Sequence, residues 1–227
     1  MTDVNLKKIV AEKAVDDYVD RDMIVGLGTG STVYYAIKKI GGLVASGYRI
    51  TCVATSVQSE ELAKKCGIAV VDLNEVDSID VTIDGADEVD NSMRIIKGLG
   101  GALLREKIVA AASMKEVIVV DESKRVSVLG AKSSLPVEVI KFGHLKTKYA
   151  LELQGCKATL RMRNEEPFKT DNDNYIYDCK FNSIDNPFFL ESRIDVIPGV
   201  VENGLFLNTA TTVLIASGAG KIEKLGE

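Results

Sequence analysis

Residues 23–40 read Met-Ile-Val-Gly-Leu-Gly-Thr-Gly-Ser-Thr-Val-Tyr-Tyr-Ala-Ile-Lys-Lys-Ile. The opening run, 23–27, is short and apolar, which suits a strand buried on both faces. Residues 33–40 carry helical periodicity. Between them lies a turn rich in glycine and hydroxyl side chains: Gly28, Thr29, Gly30, Ser31 and Thr32. Such a turn presents backbone amides at the start of a helix, where the dipole favours an anion. A strand, a glycine turn and a helix in that order make half of a βαβ unit.

The alternation extends in both directions. Upstream, Leu6, Ile9, Val10, Ala14 and Tyr18 recur at helical spacing. Downstream, strands are predicted over 50–54, 69–71, 80–83 and 116–120, with helices over 56–65 and 102–114. Strands alternating with helices at this pace imply a parallel sheet. Beyond residue 130 the order changes to strand 135–140, helix 145–154, strands 157–162 and 175–179, helix 188–194 and strand 201–207. That is the β-α-β-β-α-β unit of ferredoxin-like domains. The Phe188–Phe189 pair and the Tyr175/Tyr177 alternation are expected in its core. A last strand, 212–216, is expected to rejoin the first sheet.

The fold class is therefore α/β. An open parallel Rossmann-like sheet with helices on both faces is expected over 1–130 and 208–227. A smaller α+β ferredoxin-like domain is expected over 131–207.

With 227 residues, 46% of them hydrophobic and 27% charged, the chain can bury a core without covalent staples. Its net charge is −5, and no basic tract rises above that background, so neither nucleic acid nor an anionic membrane is expected as a partner. Cys52, Cys66, Cys156 and Cys179 show no CxxC spacing and are read as reduced thiols. The single histidine, His144, is read as a loop residue. It cannot supply a His-rich metal site, so chemistry falls to carboxylates, lysines and amides. The N-terminus lacks a signal-peptide pattern and no apolar run approaches a membrane span, so a cytoplasmic protein is expected.

Ligands of open parallel sheets bind beyond the carboxyl ends of the strands, so the residues following each strand are the candidate site. They are Thr29, Gly30, Ser31 and Thr32; 55–59; Asp84, Gly85, Ala86 and Asp87; and 121–124, which includes Lys124. All these segments are polar. The first departs from nucleotide signatures: Ser31 stands where a dinucleotide fingerprint has its third glycine, and no lysine follows the last glycine as in a P-loop. Lys7, on the first helix, is a further candidate for a phosphate.

Residues 84–88, Asp-Gly-Ala-Asp-Glu, hold more carboxylate than a turn requires. Lys97, Gly98, Leu99 and Gly100 precede a helix and offer a cation and amides for a developing oxyanion. On that helix the neighbours of Glu106 at three and four positions are Ala102, Leu103, Val109 and Ala110. A carboxylate on an apolar face is desolvated, which favours its protonated form and suits a general base. The alternative is a boundary glutamate leaning towards solvent.

Taken together, the chain resembles A-type ribose-5-phosphate isomerases from end to end. The resemblance rests on 26–32 (GLGTGST), 72–77 (DLNEVD), 84–88 (DGADE), 96–102 (IKGLGGA), 105–107 (REK), 121–124 (DESK), 135–139 (LPVEV) and 197–201 (IPGVV). It implies interconversion of ribose 5-phosphate and ribulose 5-phosphate with no metal and no cofactor. It further implies Glu106 as general base, and Asp84 and Asp87 for sugar hydroxyls and ring opening. Thr29 to Thr32, the Lys97 segment and Lys124 would bind substrate, in a homodimer or homotetramer. One departure is Leu99 with Gly101, where many members carry Lys-Gly-Gly-Gly-Ala-Ala.

Three rival classes fit less well. A sugar-phosphate sensor of a transcription regulator would need a helix-turn-helix ahead of the sheet, which begins by Met23, and would lack Glu106. An acyl transferase with a glutamate nucleophile does not account for the Asp84/Asp87 pair. A nicotinamide dehydrogenase fails on glycine spacing.

Overall fold

The structure is a computed structural model and describes residues 5–226. Along the chain run α1 (Leu6–Tyr18), β1 (Ile24–Leu27), α2 (Val33–Ala45), β2 (Thr51–Ala54), α3 (Val57–Lys65) and β3 (Ala69–Val70). Next come β4 (Val81–Asp84), β5 (Glu88–Val89), β6 (Ile95–Ile96), α4 (Leu103–Ala111), β7 (Glu116–Asp121), β8 (Leu135–Val139) and α5 (His144–Glu152). They are followed by β9 (Lys157–Leu160), β10 (Met162–Arg163), β11 (Glu166–Pro167), β12 (Tyr175–Lys180) and α6 (Pro187–Asp195). The chain closes with β13 (Val200–Asn203), β14 (Leu205–Phe206), β15 (Thr212–Ser217) and β16 (Lys221–Gly226). The described residues form two compact units: residues 5–86, 105–124 and 208–226, and residues 87–104 and 125–207.

The first unit is built on a seven-stranded sheet in the order β16-β15-β7-β4-β1-β2-β3. The strands from β15 to β3 are parallel, and β16 joins β15 antiparallel. Chain order runs outward one way through β1, β2 and β3 and the other way through β4, β7 and β15. The crossover therefore lies between β1 and β4, the place where doubly wound sheets open a crevice. Strand alternation sorts the core. Val25 and Leu27 pack with Val10, Ala14 and Ile37 of α1 and α2 on one face. Val109 of α4 packs with Ile24 and Val53 on the other. Gly26 is required there, because a Cβ would stand 1.8 Å from Thr82 Oγ1 and 3.0 Å from Val109 Cγ1.

The antiparallel β16 was not expected from its composition. Four of its six residues are exposed, as suits a polar edge strand, and glycines at 218 and 220 with positive φ turn the chain back along β15.

The second unit contains an antiparallel sheet in the order β13-β8-β12-β9 with α5 and α6, the expected ferredoxin-like arrangement. It also holds the small sheet β14-β6-β5 and the hairpin β10–β11, none of them foreseen. Tyr177 is fully buried, as expected, and Tyr175 half-buried. Phe188 and Phe189 are instead exposed, because α6 turns Pro187 and Ile194 inward and leaves the pair on its outer side. His144 is the first residue of α5 rather than a loop residue, and its Nδ1 lies 2.8 Å from the Tyr177 hydroxyl. Among the described residues no helix is long and apolar enough to cross a membrane.

Candidate active site

In the first unit, the crossover joins two of the expected segments. Asp84, the last residue of β4, is fully buried, and its Oδ1 accepts from the amides of Thr29 (3.1 Å) and Gly85 (2.6 Å). The approach depends on Gly28, where a Cβ would stand 2.2 Å from Asp84 Oδ1. Gly30 has φ +117°, a conformation open to glycine and strained for other residues.

The Thr29 hydroxyl lies in a cluster of three others. It donates to Ser56 Oγ at 2.8 Å and lies 2.8 Å from Thr55 Oγ1 and 3.3 Å from Ser59 Oγ. Ser59 is tied in turn to Gly28 O at 2.6 Å. The 55–59 segment thus supports the glycine turn from behind, a role that its sequence did not disclose. Gly30 and Ser31 are exposed at the start of α2. Lys7 Nζ donates to Ser31 Oγ at 2.9 Å, which places this cation at the turn. Amides at a helix start, two hydroxyls and an ammonium group suit a phosphate.

Glu106 lies on α4 and is 4% exposed, with Leu103, Val109 and Ala110 buried around it, as the apolar spacing implied. Lys124 closes a short turn directly after β7, half-buried. It takes no part in the hydrogen bonds of the Thr29 turn. Ala86 ends this part of the unit.

In the second unit, Asp87 Oδ2 accepts from the Leu99 amide at 2.9 Å, joining the second aspartate to the glycine segment. Lys97 is almost wholly buried, with its amide bonded to Gly204 O (2.9 Å) and its Nζ 5.6 Å from the centre of the Phe206 ring. Gly98 has φ +104°, while Leu99 and Gly100 are exposed. The Leu99 side chain therefore meets no packing obstacle. Gly101 has φ +88°, and a Cβ there would stand 2.5 Å from Phe168 Cζ. The departure from the common motif is thus accommodated: leucine sits where there is space, and glycine where Phe168 leaves none.

The neighbouring carboxylate, Glu88, has a different task. It is fully buried and accepts from the amides of Gly130 (2.7 Å), Lys132 (2.7 Å) and Ser133. It pins the segment after residue 129 to β5.

The model of the family described as ribose 5-phosphate isomerase A (phosphoriboisomerase A) matches residues 51–220. The chain is 47% identical to the ribose-5-phosphate isomerase A of Bacillus mycoides, over 96% of this chain and 98% of that one. It is 48% identical to that of Listeria innocua, over 97% and 98%. Among solved structures, the ribose 5-phosphate isomerase of Plasmodium falciparum superposes with a TM-score of 0.95 at 43% identity, covering 98% of both chains. A D-ribose-5-phosphate isomerase in complex with phospho-erythronic acid gives 0.95 at 40% identity over the whole of both chains. Fold, motifs and full-length likeness agree, and the chain belongs to the ribose 5-phosphate isomerase A family.

Proposed function

We propose that the protein interconverts ribose 5-phosphate and ribulose 5-phosphate by moving a proton between C2 and C1 through an enediolate. Glu106 is the general base: its carboxylate takes the proton from C2 of the aldose and returns it to C1. The hydroxyl proton of C2 moves to the oxygen on C1, so the sugar keeps its composition. The observation that carries this reading is Glu106 itself, a carboxylate 4% exposed on an apolar helix face in a chain of this family. A carboxylate held away from bulk water on such a face is suited to take and return a proton.

The Thr29–Thr32 turn and Lys7 hold the phosphate, with Lys124 as a further cation for the substrate. Asp84 and Asp87 take the sugar hydroxyls and assist ring opening. Lys97, with the glycine segment behind it, stabilises the negative oxygen of the enediolate. Phosphate binding far from C1 and C2 fixes a flexible sugar at the base. The route needs neither metal nor cofactor. The same reading makes the protein a cytoplasmic homodimer or homotetramer acting on free sugar phosphate.

The test is proton exchange. Chelator-treated protein is incubated with ribose 5-phosphate in deuterated water, and C1/C2 labelling and ketose are followed by NMR. Ketose carrying solvent deuterium is expected. Glu106→Gln is expected to lower turnover about 10²- to 10⁴-fold while phospho-erythronic acid binds within about threefold of the parent. Strict metal dependence, or binding lost in step with rate, would overturn the mechanism.

A further inference from the structure

The peptide unit joining Gly98 to Leu99 is held at both ends within the second unit. Its N–H donates to Asp87 Oδ2 at 2.9 Å, and its carbonyl accepts from Arg161 Nη1 at 2.9 Å. The same nitrogen donates to Leu99 O at 3.1 Å. The other edge of the guanidinium, Nε and Nη2, grips both oxygens of Asp178 at 3.0 and 2.5 Å. Arg161 is thus a fork with one prong on an aspartate and one on two successive carbonyls of the glycine segment.

The fork is firmly mounted. The Arg161 side chain is 13% exposed, and its backbone bonds to Ile176 O and Phe168 N, each at 2.8 Å. Asp178 stands on β12 opposite Thr159 of β9. Phe168 lies beside the Arg161 guanidinium and fills the space next to Gly101. The hairpin that carries Arg161 is therefore built against residues 98–101.

We infer that Arg161 is a positioning residue for Asp87, acting through the Gly98–Leu99 peptide. In a trans peptide the carbonyl and N–H point in opposite directions, so a cation on the carbonyl polarises the unit and strengthens its N–H as a donor. Arg161 fixes the plane of that peptide and Asp87 is oriented by the amide on its far side. Lysine is a partial substitute only, because an ammonium group cannot hold the carboxylate and two carbonyls in one planar fork. The consequence for catalysis rests on the reading of Asp87 as a ligand of the substrate hydroxyls.

The experiment compares the full-length parent with Arg161→Met, Arg161→Lys and Asp178→Asn. Three quantities are read: KM for ribose 5-phosphate, the inhibition constant of inorganic phosphate, and the Leu99 amide resonance. Arg161→Met is expected to raise KM about tenfold, the equivalent of one lost charged hydrogen bond. It should shift the Leu99 amide upfield and leave phosphate inhibition unchanged, since phosphate sits at the Thr29 turn. Arg161→Lys should restore KM to within about threefold of the parent. An arginine that merely stabilised the fold would lower Vmax with the number of folded molecules and leave KM and the Leu99 resonance in place; that outcome overturns the inference. If Arg161→Met does not fold, Asp178→Asn is read against the same criteria, with smaller shifts of the same sign expected. If the parent does not isomerise ribose 5-phosphate, the proposed function falls, and the Leu99 resonance alone decides the positioning: moved supports it, unmoved refutes it.

Discussion

The amide of Thr29 and the carboxylate of Asp84 meet at 3.1 Å, across the crossover between β1 and β4. The bond links residues 55 positions apart and adds to the one from the Gly28 amide to Ile83 O at 3.0 Å, and its geometry depends on the absence of a side chain at Gly28. A residue with a Cβ there would press on Asp84 Oδ1 and on the Asp84 backbone, at 2.2 and 2.6 Å.

Gly28→Ala is therefore expected to displace Asp84 and open the Thr29 turn. Forcing a methyl group into a filled site costs about 1–3 kcal/mol. The fold should survive at lower stability, while kcat/KM falls by at least about tenfold, since misplacing catalytic groups is costly even when the displacement is small. Urea unfolding and steady-state kinetics on the same preparation separate the two effects. Unchanged kcat/KM would show that the Thr29–Asp84 contact does not govern the chemistry.

The nearness of the two segments, though not the bond itself, was legible in the sequence because it follows from a rule about strand ends. The apolar run over 23–27 and the run over 80–83 each mark a buried parallel strand, and the polar residues after them had to share an edge. The spacing of Ala102, Leu103, Val109 and Ala110 likewise offered a buried Glu106 as one of two readings, and the structure has it buried. Arg161 left no such mark. Its partners, Gly98 and Leu99, lie more than 60 residues away, and an arginine after a strand is indistinguishable in sequence from a solvated one. The strands β5, β6 and β14 are two residues each, too short for any periodicity. Phe188 and Phe189 misled because composition speaks for burial while only the phase of α6 decides which side faces inward.

Glu88 shows the same limit, and it can be tested on stability alone. One sequence stretch holds three acids, and their surroundings divide the labour: Asp84 and Asp87 anchor loop amides of the candidate site, while Glu88 secures three amides of the 130–133 segment. Glu88→Gln places an NH₂ group against donors that need an acceptor. A loss of about 3 kcal/mol is expected from buried donors left without partners. Chemical unfolding measures it, and a loss below about 1 kcal/mol would mean that the segment finds other acceptors.

Two thiols of the second unit should differ sharply in reactivity. Cys156 follows a turn at Gly155, and its side chain is hydrogen-bonded to that of Cys179, which holds the Cys156 thiol below its ordinary range. Cys179 is buried and pushed well above that range by the same hydrogen bond and by desolvation. Since the thiolate is the nucleophile, iodoacetamide at neutral pH should label Cys156 well before Cys179. Peptide mass spectrometry over time reads the order directly, and equal rates would contradict it.

Cys52 carries the corresponding prediction for the first unit. It lies on β2, fully buried, and desolvation pushes its thiol from 9.0 up to about 12. Below pH 9 the thiol is protonated in both the folded and the unfolded chain, so its contribution to stability is complete. Between pH 9 and about 12 the unfolded chain ionises first, which favours unfolding. Each unit of pH in that window costs at most about 1.4 kcal/mol from this group. Replacing it by alanine should therefore flatten the alkaline limb of the stability profile while lowering stability at neutral pH through the lost sulfur contacts. Urea midpoints of the parent and Cys52→Ala, taken at several values from pH 8 to 11, should converge as the pH rises, and parallel profiles would show that the thiol stays protonated in both states or ionises equally in each.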